Sequence, residues 1–215
     1  MATKVSVIGS GMVGVVLANG FVKYGYEVML GTNSQGKIAE LKSKTNAKVK
    51  IGSFQETAAF GEIVVLATKG DAAESVAKSL AASISGKVVI DTTNPIADAP
   101  PVNGVLQFFT PVNTSLMERL QAAVPGAHFV KAFSCVGNAF MVDPDFNGQK
   151  PTMFICGNNT AAKETVKSIL TKFGWEYEDM GMVEAARSIE PLAILWCIPG
   201  ISGNRWTHAF KLLKK

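Results

Sequence analysis

The sequence is poor in charged residues and lacks any basic cluster. Asp, Glu, Lys and Arg make up only 18% of its 215 residues, and the net charge of +4 is spread along the chain. Because nucleic-acid-binding surfaces concentrate Lys and Arg on one face, nucleic acid is not an expected partner. The mild positive balance agrees better with a small anionic ligand. A hydrophobic share of 47% suits one domain, or one domain with a small annex.

Cysteine and histidine are also scarce. The three cysteines, Cys135, Cys156 and Cys197, are odd in number and widely spaced, so they form neither a disulfide framework nor a metal-ligand pattern. We expect reduced, buried, cytosolic thiols. The only histidines, His128 and His208, lie far apart in the sequence, which is more typical of structural or surface residues than of a metal site or a general base.

Long apolar runs are missing as well. The longest one late in the chain covers residues 191–201, which is too short to cross a bilayer and suits either a buried helix or the contact of a homodimer. The first residues, MATKVSVIGSG, show no apolar leader with a cleavage site. We therefore expect a cytoplasmic protein with no membrane segment.

What the sequence does contain is a regular alternation of short apolar runs with helical segments. This alternation predicts a Rossmann-type α/β fold, in which a doubly wound, mostly parallel sheet carries helices on both faces. The later part of the chain predicts a small α/β extension that ends in one long helix over residues 183–197. Strands of the main sheet are predicted at residues 4–9, 26–30, 48–51, 62–67, 87–91 and 128–133.

A glycine-rich turn joins the first predicted strand to the first helix. Gly9, Gly11 and Gly14 have the spacing G-x-G-x-x-G, within a βαβ unit of the usual length for dinucleotide binding. Gly9 permits the tight turn, Gly11 leaves room for a pyrophosphate, and Gly14 lets the helix pack closely on the strand. The N-terminus of that helix offers free N–H groups to the phosphates. The alternative is a glycine-rich turn without a ligand.

The acidic residue that usually follows the second strand is missing. In NAD sites it accepts hydrogen bonds from the ribose hydroxyls, and it would repel a 2′-phosphate. Here Thr32, Asn33 and Ser34 stand at that point and Lys37 follows, which favours NADP(H) and disfavours FAD as the ligand of this turn. These polar residues are also typical caps of the next helix, and both interpretations are compatible. We therefore predict an NADP-binding Rossmann domain at residues 1–150 and an extension packed on the same sheet at residues 151–215.

Several further segments make the chain resemble a known family almost from end to end. They are VSVIGSGMVG, EVMLGTN, IVVLATK, VVIDTTNP, HFVKAFSCVG, FICGNN, ARSIEPLAIL and HAFKLLKK, in that order. They resemble the small NADP oxidoreductases that reduce or oxidise the deazaflavin coenzyme F420, a group that includes the cytosolic domain of the six-transmembrane metalloreductases. VIDTTNP and VKAF carry most of the specificity, because G-x-G-x-x-G also occurs in many dehydrogenases.

The resemblance implies a set of cofactor contacts, all in loops that begin where a predicted strand ends. Such loops converge on one crevice in an open α/β sheet. Asn33 departs from the family, which often has Arg there, and Ser134 stands where His or Asn occurs in the relatives. The implied contacts are Ser10, Met12 and Val13 at the phosphate turn; Thr32, Asn33 and Lys37 at the 2′-phosphate; Ala67, Thr68 and Lys69 at the pyrophosphate and nicotinamide ribose; Asn94 and Pro95 near the nicotinamide; and Ser134, Cys135, Val136 and Gly137 over its face.

The predicted function is hydride transfer between NADPH and a small-molecule redox acceptor, either a deazaflavin or a flavin such as FAD or FMN. Such a reaction needs alignment and exclusion of water more than a catalytic triad. Ser134, Cys135 or solvent would handle a proton. The alternatives are a reductase of a small carbonyl or imine substrate and an NADP(H)-binding sensor without turnover. On the last helix, Arg187 and Glu190 are spaced for a salt bridge.

Overall fold

Six parallel strands form the centre of the protein. The computed structural model describes residues 2–215. The six strands lie in the order β3-β2-β1-β4-β5-β6, and every neighbouring pair is parallel. This order reverses between β1 and β4, so the predicted doubly wound Rossmann-type fold is confirmed. The strands are β1 (Lys4–Ile8), β2 (Glu27–Gly31), β3 (Lys50–Gly52), β4 (Ile63–Leu66), β5 (Val88–Asp91) and β6 (His128–Lys131).

Helices cover both faces of this sheet because its strands are apolar on both sides. Along β4, Val65 packs into the core on one face, whereas Val64 and Leu66 pack into the core on the other. This alternation follows from the two-residue period of a strand. The helices are α1 (Met12–Lys23), α2 (Ile38–Lys44), α3 (Phe54–Phe60), α4 (Gly70–Ser79), α5 (Ala81–Ile84), α6 (Leu116–Ala123), α7 (Thr160–Lys172), α8 (Ala186–Ile189) and α9 (Pro191–Gly203).

The C-terminal part of the chain builds a second, smaller sheet. Its strands β7 (Thr152–Ile155) and β8 (Glu176–Asp179) are parallel, and a single antiparallel bridge between Lys131 and Cys156 connects them to β6. Helix α7 packs against β5 and β6, and Phe173 lies 5.0 Å from Phe21 of α1, measured between ring centroids. The extension therefore shares a core with the main sheet, and its boundary at residue 150 stays a prediction.

The single long helix predicted over residues 183–197 is wrong. The chain instead forms a short 3-10 turn at Val183–Ala185, then α8, then α9, which begins at Pro191 and runs to Gly203. Pro191 has no N–H to donate to the preceding turn, so it is suited to the first position of a new helix rather than to a helix interior. Within residues 2–215, no helix is both long and apolar enough to cross a membrane.

Candidate functional site

The turn after β1 is shaped by two glycines that the backbone itself requires. Gly9 has a φ of +118°, and a Cβ atom there would overlap with the carbonyl group of Ala67. A Cβ atom on Gly14 would overlap with the carbonyl oxygen of Gly9. The first glycine thus permits the turn, and the third permits the close approach of α1 to the turn, as predicted from their spacing.

Gly11 differs from these two because no atom of the described residues crowds it. An added Cβ atom would meet nothing within 4 Å, and the φ of −75° is one that any residue adopts. Gly11 is the N-cap of α1, and the helix opens with Met12 and Val13, without an acidic residue in its first turn. The first N–H groups of a helix lack partners within the helix and carry its positive dipole end. The open space and these donors fit a pyrophosphate.

The hydroxyl of Thr32, directly after β2, is held in a defined orientation. Its Oγ1 atom accepts a hydrogen bond from Ser10 Oγ at 2.9 Å and another from the backbone N–H of Ser34 at 3.2 Å. Because both acceptor positions are taken, the hydroxyl proton is left to donate to a further group. Thr32 is only 7% exposed, so this donor is fixed by the fold. The arrangement suits an anionic acceptor.

Asn33, Ser34 and Lys37 are exposed beside Thr32. The residue at the N-cap of α2 is Lys37, and its side chain makes no capping hydrogen bond within the described chain. Helix capping and cofactor binding both remain compatible with these polar residues, because a 3-10 turn at Gln35–Lys37 begins directly after Ser34 and leads into α2. Lys37 lines a cleft of about 540 Å³ between α1 and α2, together with Ser10 and Gly11 among others, whereas Thr32 and Asn33 are not part of its lining. The Lys37 ammonium in this wall suits the 2′-phosphate that was predicted for this position.

A second cleft, of about 380 Å³, opens between the ends of β4 and β5. Ala67, Thr68 and Lys69 line one side, and Asn94 lies on the other. The two loops touch, because a Cβ atom on Gly70 would overlap with the backbone carbonyl of Asn94. Helix α4 begins at Gly70, so its N-terminus opens beside this cleft. Two of the predicted groups of contacts are thereby brought to one place.

Three buried polar atoms in the loops after β4, β5 and β6 lack hydrogen-bond partners among residues 2–215, and two of them belong to residues that line the second cleft. They are Thr68 Oγ1, Asn94 Oδ1 and Ser134 Oγ. The Asn94 side chain is nevertheless oriented, because its Nδ2 donates to the Ser134 carbonyl at 2.7 Å. A buried polar group without a partner costs about 1–3 kcal/mol. Their position at the ends of β4, β5 and β6 fits the carboxamide and ribose hydroxyls of a nicotinamide nucleotide.

The other residues predicted near the nicotinamide serve partly as packing. Pro95 and Val136 are buried. A Cβ atom on Gly137 would come within 2.6 Å of the Trp196 ring, so Gly137 makes room for α9. Phe133, which precedes Ser134, has a φ of +61°. Such a backbone costs a bulky residue on the order of 1–3 kcal/mol and tends to occur at functional sites.

Cys135 is 3% exposed and belongs to the hydrophobic core. Burial raises the pKa of its thiol to about 12. The thiol therefore stays protonated at neutral pH and is a poor nucleophile. Of the two residues predicted to handle a proton, Ser134 has a buried hydroxyl without a partner among residues 2–215, whereas Cys135 has a core environment.

Replacing Cys135 by Ala is expected to leave NADPH affinity and turnover within about twofold of the wild type, because its sulfur only fills the core. The melting temperature should fall slightly. Fluorescence titration, absorbance assays and thermal unfolding measure the three effects, and Cys197→Ala in α9 serves as the matched control. A large loss of turnover with full stability would instead give the Cys135 thiol a chemical role.

A buried ion cluster lies beneath the β5 loop, and sequence reasoning missed it. Lys131 Nζ lies 2.7 Å from Asp91 Oδ2 and 2.8 Å from Glu190 Oε1. Burial alone would lower the pKa of Lys131, but the two carboxylates outweigh it and raise the pKa, so the ammonium stays charged. The predicted pairing of Arg187 with Glu190 is wrong, because Arg187 pairs with Glu118 of α6. The sequence signal that could have revealed this cluster is Lys131 itself, a charged residue at the end of an apolar strand.

Comparison with known proteins connects this geometry to a family. Residues 4–95 match the family model described as NADP oxidoreductase, coenzyme F420-dependent. That segment holds the glycine turn, the end of β2 and the loops after β4 and β5. The match thus falls on the two clefts described above.

Two curated relatives and one solved structure extend the similarity beyond that segment. The metalloreductase STEAP3 of Rattus norvegicus is 30% identical over 203 residues, which cover 92% of this chain but only 38% of the rat protein. The F420-dependent NADP reductase of Methanocaldococcus jannaschii is 27% identical over 179 residues, 79% of each chain. The crystal structure of a putative F420-dependent NADP reductase from Arthrobacter sp. FB24 has a TM-score of 0.91 at 26% identity and covers 99% of this chain and 100% of that one.

Proposed function

Because this chain belongs, through residues 4–95, to the family of coenzyme F420-dependent NADP oxidoreductases, we propose that it transfers hydride between NADPH and a deazaflavin or flavin. The observation that carries the proposal is the crevice at the carboxyl ends of the strands. It combines an open phosphate turn at Gly11 with three buried polar atoms, in the loops after β4, β5 and β6, that lack partners among residues 2–215. Ligands of open α/β sheets bind in this crevice, where the strand order reverses.

The residues divide into two groups along the bound dinucleotide. The N–H groups at the start of α1 hold the pyrophosphate, and Thr32 with Lys37 holds the 2′-phosphate. At the other end, Thr68 and Asn94 bind the nicotinamide ribose and carboxamide. The Ser134 carbonyl fixes the Asn94 amide, whose Oδ1 is then directed to accept a hydrogen bond from the ligand. In this division, the contacts to the phosphates provide affinity for the dinucleotide, and the contacts in the second cleft orient its nicotinamide ring.

The dinucleotide, when bound, supplies or receives the hydride at its nicotinamide ring. The contribution of this chain is to align that ring with the acceptor and to exclude water. Ser134 Oγ, which is buried and without a partner in residues 2–215, is the atom that holds a proton near the ring. Cys135 packs behind this loop and keeps it in place. Coenzyme F420, FMN and FAD are the proposed acceptors.

Incubation with NADPH is expected to give acceptor-dependent loss of NADPH absorbance with at least one compound from a panel of coenzyme F420, FMN, FAD and ferric chelates. The same panel with NADH should react at least about tenfold more slowly at limiting coenzyme, because the 2′-phosphate contacts are missing. Binding of NADPH without turnover of any compound in the panel would instead favour a sensor or a reductase of another substrate, such as a small carbonyl or imine. Failure to bind NADPH would reject the proposal as a whole.

A second copy of the chain and a cytoplasmic location belong to the same proposal. Residues 99–117 and 191–204 contain no charged residue. A Cβ atom on Gly104 would contact Ser202, so the two segments are neighbours, and Val105 and Leu195 are exposed on them. An uncharged apolar surface can face its own copy across a two-fold axis without repulsion between like charges. This surface is therefore the proposed homodimer contact.

A further inference from the structure

The ion cluster of Asp91, Lys131 and Glu190 is completely buried. The side chains of Asp91 and Lys131 are 0% exposed, and that of Glu190 is 2% exposed. Replacing a buried ion pair by apolar residues is often neutral or even stabilising, because the desolvation of the charges offsets their attraction. Stability alone is thus a weak explanation for three ionisable groups at this place. Their hydrogen bonds indicate what else they do.

Each member of the cluster holds a different part of the site's framework. Asp91 Oδ1 accepts hydrogen bonds from the backbone N–H of Thr93 at 2.9 Å and from its hydroxyl at 2.6 Å. Glu190 accepts the backbone N–H groups of Leu116 and Met117, at the start of α6. Glu190 also directly precedes α9. The cluster therefore joins the β5 loop, β6, α6 and α9 at one point.

Lys131 makes the contact that reaches the second cleft most directly. Its Nζ donates to the backbone carbonyl of Thr93 at 2.8 Å, in addition to its two carboxylate partners. The next residue, Asn94, donates from its side chain to the Ser134 carbonyl, three residues beyond Lys131. Two hydrogen bonds therefore connect the loop after β5 with β6 and the segment that follows it: Lys131 Nζ to the Thr93 carbonyl, and Asn94 Nδ2 to the Ser134 carbonyl. These two hydrogen bonds flank the unpaired atoms Asn94 Oδ1 and Ser134 Oγ.

We infer that Lys131 is a positioning residue that sets the nicotinamide end of the site through the carbonyl of Thr93. This inference rests on the proposed function and names a device within the same site. The phosphate turn after β1 and the end of β2 are not part of the loops after β5 and β6 that these hydrogen bonds connect. Loss of Lys131 should therefore weaken recognition of the nicotinamide while leaving recognition of the adenosine and phosphates intact.

The test compares two ligands: NADPH, and 2′-phospho-ADP-ribose, which lacks the nicotinamide ring. Lys131→Met alone leaves two carboxylates buried without a cation, so its folding is at risk. The triple variant Asp91→Asn, Lys131→Met, Glu190→Gln removes all three charges and keeps the side-chain shapes. Thermal unfolding identifies the folded variants. The matched control is Lys163→Met with Asp179→Asn, which removes a partly buried ion pair between α7 and β8.

In the wild type, NADPH should bind more tightly than 2′-phospho-ADP-ribose. In the folded triple variant this ratio is expected to fall about tenfold, the value of roughly one well-placed hydrogen bond, with unchanged affinity for 2′-phospho-ADP-ribose. Single-turnover hydride transfer should slow by about 10- to 100-fold, because misplacement reduces the rate more than the affinity. The control variant should change neither the ratio nor the rate.

Each other outcome has a definite meaning. Equal weakening of both ligands would show a merely structural role and overturn the inference. A triple variant with the wild-type ratio and rate would overturn it as well, while leaving the proposed function intact. A wild-type ratio of one would show that no ordered nicotinamide pocket exists, which also overturns it. Wild-type protein that binds neither ligand would reject the proposed function itself.

Discussion

Gly11→Ala is expected to lower NADPH affinity by about 100-fold, or about 2.7 kcal/mol, with an unchanged melting temperature. The protein accommodates the new methyl group, because a Cβ atom at Gly11 meets nothing within 4 Å and the backbone φ of −75° suits any residue. The methyl group instead enters the space in which the pyrophosphate approaches the start of α1. Fluorescence titration of NADPH and thermal unfolding measure the two effects separately.

Gly14→Ala is the informative counterpart of this variant. Its Cβ atom would overlap with the carbonyl oxygen of Gly9, so α1 has to move away from the turn. We expect a clear loss of stability, with binding lost as a consequence. The two glycines of one motif thus separate a role toward the ligand from a role in the fold. Wild-type NADPH affinity in Gly11→Ala would show that the phosphates do not bind at this turn.

The fold was predictable because its signals are local and repeated. The six strands of the main sheet were expected within a few residues of where they lie; the first was predicted at residues 4–9 and observed at Lys4–Ile8. Strands buried on both faces read as short apolar runs, and helices between them require parallel pairing. The glycine turn was predictable for a similar reason. Three nearby residues define it, and each position has one steric task.

The ion cluster and the end of the chain were not predictable in the same way. Asp91, Lys131 and Glu190 come from three distant segments, and no local pattern shows that their side chains meet. Arg187 and Glu190 had a spacing that favours a pair, yet Glu190 pairs with Lys131 in the core and Arg187 pairs with Glu118 of α6. The break between α8 and α9 did have a local signal, because Pro191 cannot continue the helix that precedes it.

The roles of the site residues stay predictions. Thr68 was expected at the pyrophosphate and nicotinamide ribose, and Asn94 and Ser134 were expected near the nicotinamide; these three residues carry buried atoms that lack partners in the described chain. Gly137 and Val136 came from the same sequence resemblance, but one makes room for Trp196 and the other is buried. A sequence motif indicates which loop lies at the crevice. Only the three-dimensional packing shows which polar atoms in that loop lack a partner within the described chain.

Thr32→Glu is expected to weaken NADPH binding by about 100-fold and NADH binding by less than about threefold, because a carboxylate beside a 2′-phosphate costs several kcal/mol. The hydroxyl of Thr32 is held by Ser10 and Ser34 so that its proton is free to donate. A carboxylate can only accept at this place, which suits the ribose hydroxyls of NADH. Parallel fluorescence titrations with the two coenzymes measure the change.

Two controls separate charge from shape in this experiment. Thr32→Val removes the donor without adding charge, so it should weaken NADPH by about tenfold, the lower end of the range for one hydrogen bond to a charged group. Asn33→Asp adds one negative charge at an exposed position with hardly any change of shape, and Asn33→Arg adds a positive one. The first should weaken NADPH selectively and the second should strengthen it. If the Glu and Asp variants instead weakened both coenzymes equally, the residues after β2 would contact the ribose or adenine rather than a 2′-phosphate.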